Sequence, residues 1–315
     1  MVWLWSLSSA NFTKRVAVRL LTVIALDGLA YASWLFLVSA GLTFTYGVLR
    51  ILNLAHGNLY ALGAYLGATL VLRYAAAGST VALGYGLLLL GAVAIGIVAG
   101  PVIERLFLRR VYAKDEEVQL LLTFSISLIL EDVVKLTWGV SPIFADAPYT
   151  ALGRVSLGGI NYAWYPFLLT AIALAVGALL WLVVTRTRLG KVLQAVITDR
   201  EVSLTLGINV PRVYTWAFTV GAVLAALGGA YTAPMFSLVP GVGAEVLVTS
   251  FAVVAIGGLG SIGGAALGAL IVGMARSAAV YLFPELDLFA IYFMMALVLL
   301  FRPQGLFGEI EMRRI

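Results

Sequence analysis

The order of apolar and polar positions divides the chain into long hydrophobic runs separated by short polar segments. The runs predict helices at about 21–40, 59–72, 82–103, 118–138, 162–185, 213–233, 246–258, 262–283 and 286–301. Most are near the length of about 20 apolar residues that a membrane-spanning helix needs, and none alternates with the period of two typical of a membrane barrel. The pattern therefore predicts an all-α, polytopic helix bundle of about eight or nine spans. The predicted parts are an N-terminal segment 1–20, one transmembrane domain 21–308 and a C-terminal tail 309–315.

Composition agrees with a membrane protein and excludes several kinds of chemistry. Hydrophobic residues make up 62% of the chain and charged residues 11%, against about 45–50% and about 25% in soluble domains. With no cysteine and one histidine, the chain has no disulfide framework, no thiol nucleophile and no cysteine- or histidine-rich metal site. We expect no catalytic residues, no metal and no cofactor. The net charge of +5 lies mostly in loops beside spans, so it does not indicate nucleic-acid binding.

The distribution of basic residues predicts which loops face the cytoplasm. Loops 104–117 and 186–212 are rich in arginine and lysine, and the positive-inside rule places both inside the cell. Between them, 139–161 holds one arginine and many turn-forming residues, which is typical of an external loop. If 41–72 is one return span, the N-terminus lies outside, against its basic residues. An interrupted helix that dips into the membrane over 41–58 puts the N-terminus inside, and we favour this alternative.

A polar cluster lies in this ambiguous stretch, between two apolar runs. It comprises Asn53, His56, Gly57 and Asn58, followed by Tyr60. A polar group that faces lipid has no water to bond, so irregular backbone at membrane depth needs protein or a water-filled cavity around it. Two interpretations remain open: these residues satisfy the backbone where a helix breaks, or they line the route of a solute.

The basic loop 186–212 contains the signals of a short helix. Thr198 and Glu201 have the spacing of a capping box, and acidic residues in the first turn favour a helix start. Gly207 is suited to a left-handed helix stop, with Pro211 shortly beyond it. A helix this short is marginal in water unless something holds it. It is therefore either a membrane-surface loop or a docking element for a cytoplasmic partner.

Glycine spacing predicts where helices pack closely. Pairs at four-residue spacing occur at Gly63 and Gly67 and at Gly96 and Gly100, and a longer series runs through Gly260, Gly264 and Gly268. Small residues at this spacing let helix backbones approach. The segment GLGSIG within the last series fits a dinucleotide-binding pattern, but it joins two apolar runs instead of a strand and a helix of a soluble βαβ unit. We therefore do not expect a nucleotide site.

Several segments resemble the membrane permeases of bacterial branched-chain amino acid ABC importers. They are GLTFTYGVLRILNLAHGNLYALGAYLG, IERLFLRRV, DREVSLTLGINVPRV, AIGGLGSIGGAALGALIVG and LVLLFRPQGLFG. The resemblance runs from about residue 21 to 308 in the family's order, and is to the shorter of the two permease types. In this family a short cytoplasmic helix inserts into the ATPase subunit. Its Glu-Ala-Ala and glycine pattern is matched here at Glu201 and Gly207, with Val202 and Ser203 in place of the alanines.

The resemblance implies the partners and the role. We expect a permease subunit in a bacterial inner membrane, with a second permease chain (related or identical), two cytoplasmic ATPases and an external solute-binding protein. ATPase coupling would involve Thr198, Asp199, Glu201, Ser203, Gly207 and Pro211. The expected solutes are branched-chain or other hydrophobic amino acids, with amides, urea or short aliphatic acids open. A secondary transporter and a channel for a small neutral solute are the alternatives, and a membrane enzyme is a more distant one.

Overall fold

The computed structural model describes residues 2–76 and 81–308, with side chains at all of these except 2–15, 76, 81–82 and 288. The predicted tail 309–315 and loop residues 77–80 lie outside the described residues. The helices are α1 Val2–Leu49, α2 His56–Ala76, α3 Val81–Leu106, α4 Glu116–Trp138, α5 Ala147–Ala151, α6 Tyr165–Arg186, α7 Arg188–Thr198, α8 Arg200–Thr205, α9 Val210–Thr232, α10 Val242–Gly257, α11 Ile262–Leu282 and α12 Asp287–Phe301. The strands β1 Arg154–Leu157 and β2 Ile160–Ala163 form an antiparallel hairpin.

The described helices confirm an all-α membrane bundle. Five of them are long and apolar enough to cross a bilayer, in α1, α3, α6, α9 and α11, and α10 and part of α12 form shorter apolar helices. The span expected at about 162–185 begins at Tyr165, because residues up to Ala163 pair with β1 in the hairpin.

The most buried helix of the bundle is α9, which packs against α1, α2 and α3. Glycines on the neighbouring helices face it directly. A Cβ on Gly63 would overlap Ala226, and a Cβ on Gly96 would overlap Val223. The spacing of small residues on α2 and α3 thus lets both helices approach α9 at backbone distance, as predicted.

The predicted interruption follows α1 and does not cut through it. Helix α1 continues to Leu49, and a non-helical segment 50–55 leads to α2. Arg50 opens this segment with a φ of 56°, the one positive value at a non-glycine residue in the described chain. Such a conformation is costly for a residue with a Cβ and is found where a chain must turn sharply.

The orientation of α1 corrects the expectation for the N-terminus. In the first half of α1, Arg19 lies against Gly159 of the β-hairpin, on the side predicted to be external. At the other end, Arg50 lines a cavity together with Arg200 of the basic loop. Helix α1 therefore runs from the hairpin side to the basic side, and the N-terminus lies with the hairpin. The basic residues near the N-terminus favoured an interrupted helix over 41–58, whereas α1 crosses the whole bundle as one helix up to Leu49.

Candidate solute pathway and coupling surface

The predicted polar cluster forms the start of α2, deep in the bundle. The Nε2–H of His56 donates to the Val38 carbonyl at 2.9 Å. At a rise of about 1.5 Å per residue, Val38 lies about 16 Å before the end of α1. Six residues of extended chain reach about 20 Å, so 50–55 suffices to carry the chain back along α1. Asn53 closes a turn by accepting from the backbone N–H of Ala55 at 3.1 Å. The cluster thus supports a backbone interruption.

Two polar atoms at this interruption are buried without a partner among the described residues. They are Nδ2 of Asn53 and Nδ1 of His56. Since Nε2 of His56 donates its proton to a carbonyl, Nδ1 of the neutral ring is an acceptor. The interruption therefore offers one free donor and one free acceptor, and buried groups of this kind normally have partners.

Helix α10 begins at the same depth as α2 and directly beside it. A Cβ on Gly57 would overlap the carbonyl of Gly243, and a Cβ on Gly243 would lie 2.5 Å from Oδ1 of Asn58. Asn58 also donates from Nδ2 to the carbonyl and the hydroxyl of Ser127, at 2.6 and 2.7 Å. Helices α2 and α10 therefore start side by side inside the bundle, and one asparagine joins them to α4.

Tyr60 connects this region to a cavity on the hairpin side. Its hydroxyl shares a hydrogen bond of 2.6 Å with Thr232, and its ring centroid lies 6.1 Å from that of Trp34. Trp34 lines a cavity of about 480 Å³, called here the outer cavity. None of the five predicted pathway residues lines the outer cavity, but Tyr60 contacts Trp34, which does.

Asp27 on α1 is the carboxylate that lines the outer cavity. Its oxygens accept from the hydroxyl of Tyr162 at 2.7 Å and from that of Tyr281. Burial and this hydrogen bond raise the pKa of Tyr162, which keeps the phenol a donor. Nearby, Arg276 forms a bidentate ion pair with Asp287. Asp27 has no such cation partner in the described part of the chain.

At the opposite end of the bundle, the basic loop folds into two helices. The predicted short helix is α8, which is preceded by a longer helix, α7, that the sequence analysis missed. The predicted capping box at Thr198 was wrong: Thr198 ends α7, and its hydroxyl donates back to Gln194. Asp199 is the N-cap and accepts from the N–H of Val202 at 2.9 Å. A carboxylate in that position satisfies one of the free N–H groups of the first turn.

The stop signals and the exposed face of α8 agree with the prediction. Gly207 has a φ of 81°, and Pro211 lies in the first turn of α9. Ser203 faces the protein at 2% exposure, and Glu201 is exposed. Three apolar side chains of this segment point into solvent, namely Val202 (51% exposed), Leu204 (48%) and Leu206 (73%). Exposed apolar groups on a short helix of the basic side form a surface suited to a protein partner.

A buried cluster that the sequence analysis missed links α8 to α3. Glu104 is fully buried and pairs with Arg109 at 3.0 Å, and it accepts from Tyr112 at 2.8 Å and Thr215 at 2.6 Å. Burial and the Glu104 charge raise the pKa of the Tyr112 phenol, so Tyr112 remains a donor. The sequence signal for this cluster was Glu104 followed five residues later by Arg109 within a basic loop.

From this cluster, aromatic contacts lead to α8. The rings of Tyr112 and Tyr214 meet edge to face at 5.1 Å, and the Arg200 guanidinium lies 5.9 Å from the Tyr214 ring centroid. Contacts thus run without a gap from Arg200, the first residue of α8, to the end of α3.

Comparison with known proteins identifies relatives of this chain. Residues 24–299 match the family model described as the permease component of the branched-chain amino acid transport system. The high-affinity branched-chain amino acid transport system permease protein BraD of Pseudomonas aeruginosa is 28% identical, covering 92% of this chain and 96% of the relative. The permease protein LivH of the same kind of system in Escherichia coli is also 28% identical, with the same coverage. A probable LivH of Methanocaldococcus jannaschii is 25% identical over 80% of this chain and 78% of its own. No solved structure matches the chain.

Proposed function

The chain belongs to the family of permease components of branched-chain amino acid transport systems, and on that premise we propose that it is the membrane permease of an ATP-driven importer of hydrophobic amino acids. It is a transport subunit, and ATP hydrolysis takes place on separate partner chains. The observation that carries this proposal is the capped helix α8, which presents three exposed apolar side chains on the basic side of the bundle. The membrane is the bacterial inner membrane, with the basic loop in the cytoplasm.

Helix α8 is the docking element for the ATPase subunit. Its exposed apolar side chains are Val202 and Leu204 on different sides of the helix and Leu206 at its C-terminal cap. They enter a groove of the ATPase, and Glu201 and Gly207 fix where the helix begins and ends. Closure of two ATPases moves α8, and the contacts through Arg200 and Tyr214 carry that movement to α9 and α3. Because α9 packs against α1, α2 and α3, a shift at its start repacks the helices around the pathway.

The solute route passes the paired starts of α2 and α10. Interrupted helices at membrane depth are tolerated only beside protein or a water-filled cavity, and in transporters they mark the binding region. The unpartnered atoms of Asn53 and His56 support this assignment, as does the contact of Tyr60 with the wall of the outer cavity. Gly57 and Asn58 hold the two helix starts together. Alternating access opens this region first to the outer cavity and then to the cytoplasm.

The proposed assembly contains two permease chains, two ATPases and an external binding protein that delivers the solute. The test is purification of the tagged chain from its native membrane in mild detergent, with identification of the co-purifying proteins and an ATPase assay. The key variant is Leu206→Asp, which places a charge on the exposed apolar residue at the C-terminal cap of α8. Its matched control is Val140→Asp, since Val140 is equally exposed, at 74%, but lies in the loop on the opposite side.

We expect the wild type and Val140→Asp to recover ATPase subunits and a second permease. Leu206→Asp should lose the ATPases, because a buried charge at the centre of an interface is costly. A chain that purifies alone and moves solute in vesicles without ATP would instead be a channel or a secondary transporter. In that case Glu201→Lys would leave the flux unchanged, and the proposal would be wrong.

A further inference from the structure

The outer cavity contains one acidic and one basic side chain, neither of which is paired with another charge in the described chain. They are Asp27 on α1 and Arg154 on β1. We infer that the outer cavity is a binding site for a zwitterion, in which Asp27 binds the ammonium group and Arg154 binds the carboxylate of an α-amino acid. This inference rests on the proposed function, and it names the substrate chemistry and the residues that recognise it.

The state of Asp27 supports an incoming cation. Its two bonds come from the neutral hydroxyls of Tyr162 and Tyr281, so they orient the carboxylate without cancelling its charge. Arg276, which lines a neighbouring cavity together with Asp27, is already engaged by both oxygens of Asp287 at 2.7 and 3.1 Å. Asp27 is half-buried, and a partly desolvated carboxylate gains most from a partner of opposite charge. The ammonium group of a solute supplies the missing charge.

Arg154 supplies the complementary charge across the same cavity. It lies on the exposed edge strand of the hairpin, and no ion pair of the described residues involves it. A guanidinium binds a carboxylate through two parallel hydrogen bonds. An amino acid held between Asp27 and Arg154 would therefore be recognised by both ends of its backbone, whatever its side chain.

The remaining wall and the size of the cavity suit an apolar side chain. Trp34, Met235 and Phe236 line it, and its volume of about 480 Å³ falls within the range of about 300–1,000 Å³ that is usual for small-ligand sites. Trp34 also contacts Tyr60 at the paired helix starts. A solute bound here lies next to the proposed route.

A purely structural role for Asp27 makes a different prediction. If Asp27 only held α1, the hairpin and α11 together through Tyr162 and Tyr281, its replacement would affect the binding of charged and uncharged ligands equally. Asp27→Asn removes the charge while the amide still offers each tyrosine a hydrogen-bonding group: its oxygen accepts from one hydroxyl, and its NH2 donates to the oxygen of the other. Asp146→Asn is the matched control, because Asp146 is an exposed acid on the same side that does not line the outer cavity.

The experiment is equilibrium binding of three probes to the detergent-purified chain with the proteins that accompany it. The probes are leucine, leucinamide, which lacks the carboxylate, and 4-methylpentanoate, which lacks the ammonium group. We expect the wild type to bind leucine at least about tenfold more tightly than either analogue. Asp27→Asn should weaken leucine and leucinamide by about tenfold and leave 4-methylpentanoate unchanged. Arg154→Gln should weaken leucine and 4-methylpentanoate and spare leucinamide.

Equal binding of the three probes by the wild type would overturn the inference without any variant. The inference would also be overturned if Asp27→Asn and Tyr162→Phe both weakened the binding of all three probes equally. That result would show that Asp27 acts by holding the helices and the hairpin together. These outcomes are distinct from failure of the proposed function. A chain that recovers its ATPases but does not discriminate the probes remains an importer permease whose specificity lies elsewhere.

Discussion

Replacement of Glu104 tests whether the buried cluster holds α3 to the start of α9. In Glu104→Ala the carboxylate disappears, and each of its donors must find another partner. Thr215 still bonds the Pro211 carbonyl at 2.9 Å, and Arg109 is 39% exposed and is rehydrated in part. Tyr112 has no other acceptor among the described residues. The main losses are therefore the phenol hydrogen bond and the ion pair.

The magnitude follows from these contacts. A buried donor left without an acceptor costs about 1–3 kcal/mol, and breaking a fully buried ion pair costs about 3–5 kcal/mol. Because Arg109 reaches solvent, the ion-pair cost is well below that range, and we expect a total of about 3 kcal/mol. Glu104→Gln keeps an oxygen for Tyr112 and should cost about half as much. At about 2–4 °C per kcal/mol, Glu104→Ala lowers Tm by about 6–12 °C.

The assay is thermal unfolding of the detergent-purified chain, followed by loss of monodisperse protein on gel filtration. Glu117→Ala is the control, since Glu117 is an exposed acid in the first turn of α4 and its removal costs less than about 1 kcal/mol. An equal Tm for Glu104→Ala and Glu117→Ala would refute the reasoning. It would show that the cluster contributes nothing to the packing of α3 against α9.

Three further predictions concern the backbone of the pathway and of the coupling helix. Gly57→Ala forces a Cβ into the Gly243 carbonyl and should abolish folded protein on gel filtration, whereas Gly86→Ala, with open space around it, should purify normally. Asp199→Ala removes the cap of α8 and should cost about 0.5–2 kcal/mol of helix stability, measured as faster amide exchange in α8. Asp199→Asn keeps the cap, so its amides in α8 should exchange at the wild-type rate. Gly207→Ala places a Cβ at a φ of 81° and should cost about 1 kcal/mol, measured as weaker retention of the ATPase subunits. Wild-type retention in Gly207→Ala would show that the end of α8 does not matter for docking.

Hydropathy located the main helices because membrane depth sets their length. The run predicted at 213–233 is Val210–Thr232, and that predicted at 262–283 is Ile262–Leu282. The helix in the basic loop was also found, since Gly207 and the acidic residues mark its ends. Its start was placed one residue early, because Thr198 and Asp199 are both good caps and only the preceding helix α7 decides between them.

By itself, then, the sequence determined a helical membrane chain with an interruption before His56 and a capped helix on its basic side. These features depend on local chemistry: apolar length, a polar break and helix-terminal residues. The tertiary structure decided which side the N-terminus occupies, which helix α2 starts beside, and which distant side chains come together. Asp27 and Arg154 are far apart in sequence but line one cavity, and Glu104 and Thr215 bond from separate helices. Such contacts are fixed by helix packing, which no local pattern encodes.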